Sequence, residues 1–162
     1  MEKIIEFVKP LYTNKDSMHN FKHILRIKRR VYQLKKGHQN IDKNKLNFLI
    51  YFHGLSNYVR ISKNALSQLK IPKEYIKALY RHTKKPISIE EKLVSDANLL
   101  EAVGLFGIKK SLQVGKERKQ TTKETLKIMN KNIRKIRFYT KIGKRLGNPG
   151  IKIIKEFLNK KR

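Results

Sequence analysis

Residues 51–58 read YFHGLSNY, and the organisation of the whole chain follows from how this stretch is read. It closes an apolar run, NFLIYF, with a histidine and then a glycine. Steps of four and seven residues back from His53 reach Leu49 and Leu46, so the ring belongs on the buried side of a helix. Gly54 stands where a helix-ending glycine belongs. Alone, the pair reads as a core histidine followed by a capping glycine. Its company adds a second reading. His23 borders another apolar helix face, and Asp96 sits on a third. Histidines and a carboxylate brought together from separate helices can form a metal site.

Outward from this stretch the spacing is helical throughout. Residues 2–8 form a short helix stopped by Pro10. In residues 21–35, Ile24, Ile27, Val31 and Leu34 make a helix face bordered by His23, with Lys22, Arg26 and Arg29 as a basic stripe. Asp42 caps a helix running to His53 with Leu46, Leu49 and Ile50 inward. Ser62 caps a short helix through Leu69, and Pro72 opens one carrying Ile76, Leu79 and His82. Ser88 and Glu91 have capping-box spacing. The helix after them puts Leu93, Asp96, Ala97 and Leu100 on one side and ends near Gly104. A carboxylate on an apolar face must be paired, hydrogen-bonded or metal-bound. Residues 109–122, KKSLQVGKERKQTT, read as a basic loop. A long helix over residues 123–146 follows, with Leu126, Met129, Ile133, Ile136 and Tyr139 inward. Asn148 and Pro149 start a last helix, and the chain ends in a basic tail, residues 159–162, NKKR. The expectation is a single all-α domain over residues 1–162, a bundle of six to eight helices, with no internal repeat.

Charge sets the chain apart. Forty Lys and Arg face twelve Asp and Glu, a net charge of +28 over 162 residues. Such a surplus repels itself in a compact fold, and nucleic acid is the common partner that neutralises it. There is no cysteine, which excludes disulfides, a thiolate nucleophile and thiolate metal sites. No apolar run approaches the roughly 20 residues that span a bilayer, no segment has the lipid-facing stripe of a membrane binder, and the first residues are too interrupted for a signal peptide. The expected setting is the cytoplasm.

Four segments in order carry a resemblance. DSMHNFKHILRIKRR (residues 16–30) resembles the opening D-x-S-H-D-F-x-H-x-x-R-V helix of the small HD-domain phosphohydrolases, all-helical enzymes named for a His-Asp dyad. His82 falls where that family has a histidine. IEEKLVSDANLLEAVGLFGI (residues 89–108) resembles its E-A-K-I-V-x-D-A-D-x-L-D-A-x-G-x-x-G-I segment, and FYTKIGKRL (residues 138–146) its late L-Y-T-x-x-A-x-x-L helix. The resemblance implies metal ligands in the pattern H…HD…D. Carried over, these are His23, His53 and Asp96, with Gly54 where the dyad aspartate should be. Asn20 stands for an Asp of the opening motif, Asn98 for the second Asp of D-A-D and Glu101 for the next acid. Hydrolytic metal sites use such acids to hold the cation and generate hydroxide.

Two readings follow. In the first, a catalytically inactive HD-like fold binds RNA, with ribosomal RNA and neighbouring ribosomal proteins as partners, no cofactor, and His23, His53 and Asp96 as vestigial ligands. Contact would run through Lys28, Arg29, Arg30, Lys109, Lys110, Lys116, Arg118, Lys119, Lys127, Lys131, Arg134, Lys135, Lys141, Lys144, Arg145, Lys160, Lys161 and Arg162. In the second, the same three ligands hold a divalent metal (Mn, Fe, Ni, Zn or Mg) and the protein hydrolyses the phosphate ester of a nucleotide or nucleic acid. Gly54 favours the first. A protein–protein adaptor has no positive support in the sequence.

Overall fold

The computed structural model describes residues 2–62 and 68–161. In chain order its helices are α1 (Glu2–Val8), a 3-10 turn (Pro10–Tyr12), α2 (Phe21–Leu34), α3 (Lys43–Phe52), α4 (Ser56–Ile61), α5 (Lys73–Arg81), α6 (Ile89–Leu100), α7 (Gly104–Glu117), α8 (Thr122–Ile133) and α9 (Lys141–Asn159). The all-α expectation holds: there are nine α-helices and no strand among the described residues. The helix expected from Ser62 to Leu69 lies largely outside the described residues.

Helix α6 is the axis, packing against α2, α3, α5 and α9. Its sequence explains the position. Ser88 and Glu91 form a full capping box, which satisfies backbone donors at the N-terminus. Beyond it Leu93, Val94, Ser95, Asp96, Ala97 and Leu100 are all buried. The α2 face of Ile24, Ile27, Val31 and Leu34 is completely buried, and Asp42 caps α3 by accepting from the Asn44 and Lys45 amides.

Three sequence expectations are corrected. The basic loop over residues 109–122 is mostly helix, since α7 continues through Glu117. Its polar composition hides a face on which Ile108, Lys110 and Gly115 are buried. The chain turns only at Lys119, which takes a left-handed φ of 56°. The long helix expected over residues 123–146 is two helices. Asp96 captures the Tyr139 and Thr140 amides, each at 2.8 Å, and Thr140 then caps α9 by accepting from Gly143 N. Tyr139, expected inward, is exposed. The last helix does not begin at Asn148 and Pro149. Pro149 lies inside α9 on its exposed side, where the carbonyl left without a donor meets water. The opposite side carries Gly143, Gly147 and Gly150 against α6 and α7. A Cβ there would collide with the Asp96 carboxylate, the Phe138 ring and Val103 respectively, so packing and not helix propensity holds this segment together.

Candidate functional site: a row of histidines

The buried face of α2 delivers His23, only 2% exposed, to the centre of the fold. His23 Nδ1 donates to Glu101 Oε2 at 2.7 Å. Glu101 caps the C-terminus of α6 and is fully buried. Arg26 Nε also donates to it, at 2.7 Å, and Lys110 Nζ lies 3.7 Å away. Burial alone would raise the Glu101 carboxyl, but the bonds from His23 and Arg26 and the Arg26 charge outweigh it and bring it down to about 2. Glu101 is therefore an anion already surrounded by donors. His23 stays neutral, because burial lowers its pKa more than the Glu101 bond restores it. With the proton on Nδ1, its Nε2 keeps a lone pair.

His53 comes from the end of α3 and His82 from the end of α5. His82 Nδ1 faces the Leu79 carbonyl, which only accepts, so that nitrogen carries the proton. In the neutral ring Nε2 then accepts, and His53 Nδ1 donates to it at 2.7 Å. Burial lowers the His53 pKa well below the usual range, and charge on His82 or His23 would lower it further. The Asn98 side chain lies beside this ring and partly offsets the lowering. The rings of His19, His23, His53 and His82 form a row with successive centroids 5.6, 5.7 and 5.0 Å apart.

Two carboxylates touch this row, Glu101 at His23 and Asp16 at His19 Nδ1, at 2.7 Å each, and neither joins two histidines into a metal site among the described residues. Gly54 follows His53 with no side chain. The Tyr12 hydroxyl accepts from Gly54 N at 3.3 Å and donates to Tyr51 O at 2.9 Å. Asp96 does not join the histidines. Its oxygens accept from Tyr139 N, Thr140 N and Thr140 Oγ1. Burial pushes its carboxyl up, and those bonds only partly offset the rise. Residues two apart on a helix point to different sides, so Asn98, not Asp96, reaches His53. Among the described residues, no three His, Asp or Glu side chains come together in a set that could hold a metal ion. The divalent metal implied by the resemblance does not fit these residues. The lone pairs of two histidines remain, but around them stand a glycine, an amide and the ammonium of Lys110.

No protein-family model and no curated protein matches the sequence. Solved structures do. A protein of Lactobacillus plantarum superposes with a TM-score of 0.80 at 16% identity, over 98% of this chain and 93% of that one. An HD-superfamily hydrolase of Bacillus thuringiensis does so with a TM-score of 0.66 at 20% identity, over 98% and 93%. The fold is that of the HD superfamily. Bacillus subtilis YpgQ, solved in complex with ADP, shares it with a TM-score of 0.64 at 18% identity, over 98% and 94%. At these identities the likeness is one of fold.

Most basic residues singled out in the sequence lie on the HD-fold surface. Arg29, Lys109, Lys116, Arg118, Lys119, Lys127, Lys131, Arg134, Lys135, Lys141, Lys144, Arg145, Lys160 and Lys161 are exposed. Lys28 is half-buried and donates to the Tyr51 hydroxyl at 3.0 Å, and Arg30 leans toward Glu101 at 4.0 Å. Lys110 is not a surface residue: it points inward and is 8% exposed. Arg162 lies outside the described residues. Sequence reasoning missed Lys110 as a pocket cation and Tyr12 as the neighbour of Gly54. No local motif announces either. It did miss a legible cap, because Thr121 and Glu124 have the same capping-box spacing as Ser88 and Glu91, and they start α8.

Proposed function

We propose that this chain is an RNA-binding protein on a catalytically inactive HD fold, acting in the cytoplasm on ribosomal RNA alongside neighbouring ribosomal proteins. One observation carries the reading, a contrast between interior and surface. Inside, Glu90, Glu91, Asp96 and Glu101 are buried, so four of only twelve acids are withdrawn from the surface. Of the described basic residues, Lys110 alone is buried. The net charge of +28 is therefore carried almost entirely outside, where phosphate can reach it. Within the pocket Lys110 holds the positive charge beside Glu101, which supports a site that has given up its metal. Folds outlive their chemistry in this way.

Native lysate fractionated on a sucrose gradient tests the reading. The protein should travel with a ribosomal subunit and leave it at high salt. Migration only at the top of the gradient at low salt overturns the ribosomal assignment.

A second reading, hydrolysis of a nucleotide phosphate ester, draws support from the ADP bound by YpgQ. Phosphate release from nucleotides in the presence of added Mn or Mg, abolished by His23→Ala, would favour it over the first.

A further inference from the structure

A cavity of about 340 Å³ lies between α7, α8 and α9 beside the histidine row. Asn98, Lys110 and His19 are among its lining residues, as are Arg118 and Gln120 near the α7–α8 turn. Ile128, Met129, Ile133 and Ile136 give it an aliphatic wall, and Asn132 adds a further amide. A shallower groove shares Gln120 and Thr125 with it and runs along Lys116, Lys119, Thr121 and Thr122.

We propose that the cavity receives one unstacked nucleotide of a bound RNA strand, with its base on the aliphatic wall and its phosphate at Arg118, while the strand continues along the adjoining groove. The inference rests on the RNA-binding reading above and adds where a base is taken up. The size fits one nucleotide, since ligand pockets run from about 300 to 1,000 Å³ and this is near the lower bound. The chemistry fits a base, because each side-chain amide offers both donors and an acceptor and single-stranded RNA is recognised on the edges of splayed bases. Asn98, Gln120 and Asn132 supply three such amides. The mouth fits phosphate, since Arg118 is exposed and its contact with Asp16, at 3.6 Å, leaves much of its guanidinium in solvent. The groove fits a backbone, with Lys116 and Lys119 exposed beside the Thr122 hydroxyl.

The test uses the full chain and a short single-stranded RNA with 2-aminopurine scanned along it. One position should brighten on binding, as its base leaves the stack. Ser111 lines the cavity and carries no charge, so Ser111→Phe fills the space without altering the surface field. It should abolish the brightening and weaken binding about tenfold, about 1.4 kcal/mol, while the salt dependence keeps its slope. Asn132→Ala, at an exposed helical position, should reduce the same signal and serves if the phenylalanine disturbs folding. Unchanged brightening and affinity in both variants overturn the inference and leave the RNA reading standing. If no RNA binds at low salt, both fall. Displacement of the strand's base by AMP alone, at concentrations matching the strand, would overturn it in favour of a free nucleotide.

Discussion

The ring of Tyr12 lies directly beside the position that a Cβ at Gly54 would take. A Cβ built on Gly54 comes within 3.2 Å of Tyr12 Cε1 and 3.4 Å of its hydroxyl oxygen. Tyr12 is 1% exposed and is held by its bonds to Tyr51 and Gly54, so it has little room to yield. A side chain at Gly54 therefore requires Tyr12 to shift by a few tenths of an ångström. Gly54→Ala should lower stability by about 1–3 kcal/mol, the usual cost of overpacking. Gly54→Asp should do the same and bind no additional divalent metal, because Asn98 and Lys110 still face the histidines. Thermal melts and elemental analysis after dialysis check both. An aspartate variant that melts like the parent and retains one metal per chain would mean that the pocket can still close around a cation.

Glu101 and its cations should dominate acid stability. Glu101→Gln leaves Arg26 and Lys110 without their shared anion, and should cost about 3–5 kcal/mol, the range for breaking a buried pair from one side. Lys110→Met should cost much less, since His23 and Arg26 still satisfy Glu101 and the methionine fills similar space. The pH dependence follows from the sign of the shift. The folded carboxyl is depressed to about 2 from an ordinary 4.5, so its stabilisation is complete above pH 4.5 and is lost as pH falls toward 2. Glu91, gripped by Arg81 at 2.7 and 2.8 Å and likewise brought down to about 2 against its burial, acts in the same window. Melts of Glu101→Gln should therefore vary less with pH between about 4.5 and 2 than those of the parent.

Much of this was legible from local signals. The α2 and α3 faces, the Asp42 cap and the Ser88–Glu91 box each depend on residues close in sequence, and they came out as read. What was not legible depends on distant partners. Asp96 looked like a ligand because it sits on an apolar helix face, yet it anchors the start of α9 some forty-three residues away. The same contact fixes where α9 begins, inside the stretch that periodicity ran as one helix over residues 123–146. Lys110 looked like one more surface lysine, because nothing nearby shows that Glu101 waits across the fold. Pro149 looked like a helix start, because the glycine packing that carries α9 through it belongs to α6, α7 and Phe138.

The histidine row gives a second pH window. Burial lowers the pKa of His23, His53 and His82 in the folded chain. The unfolded chain then binds more protons below the ordinary histidine value near 6.5, and stability falls as pH drops through it. His53→Leu removes the donor to His82 Nε2 and should destabilise at neutral pH by about 1–3 kcal/mol, the cost of an orphaned buried acceptor. It should also make the loss between about pH 6.5 and 5 shallower, since one depressed histidine is gone. Chelator should leave the melts of both proteins unchanged. A melt of the parent that drops on adding chelator would point to a bound metal at these rings.

The basic surface should bind RNA through phosphate contacts separable from the pocket histidines. Lys127, Lys131 and Arg134 are exposed and spaced by four and three residues, so they share one side of α8 and the turn after it. Each phosphate contact to a single strand contributes about −0.7 to the slope of log affinity against log salt. Reversing all three to Glu should therefore weaken binding steeply at low salt and make the slope shallower by about two. Lys141, Lys144 and Arg145, exposed on the first turns of α9, should behave alike if the strand also crosses that end. His23→Ala should leave the slope unchanged, because the ring is buried and neutral and offers phosphate no charge. Titrations of a labelled strand at several salt concentrations, with circular dichroism confirming each fold, check this. If His23→Ala abolishes binding while the charge reversals leave it intact, the partner is a small phosphate held in the pocket, and the hydrolase reading takes over.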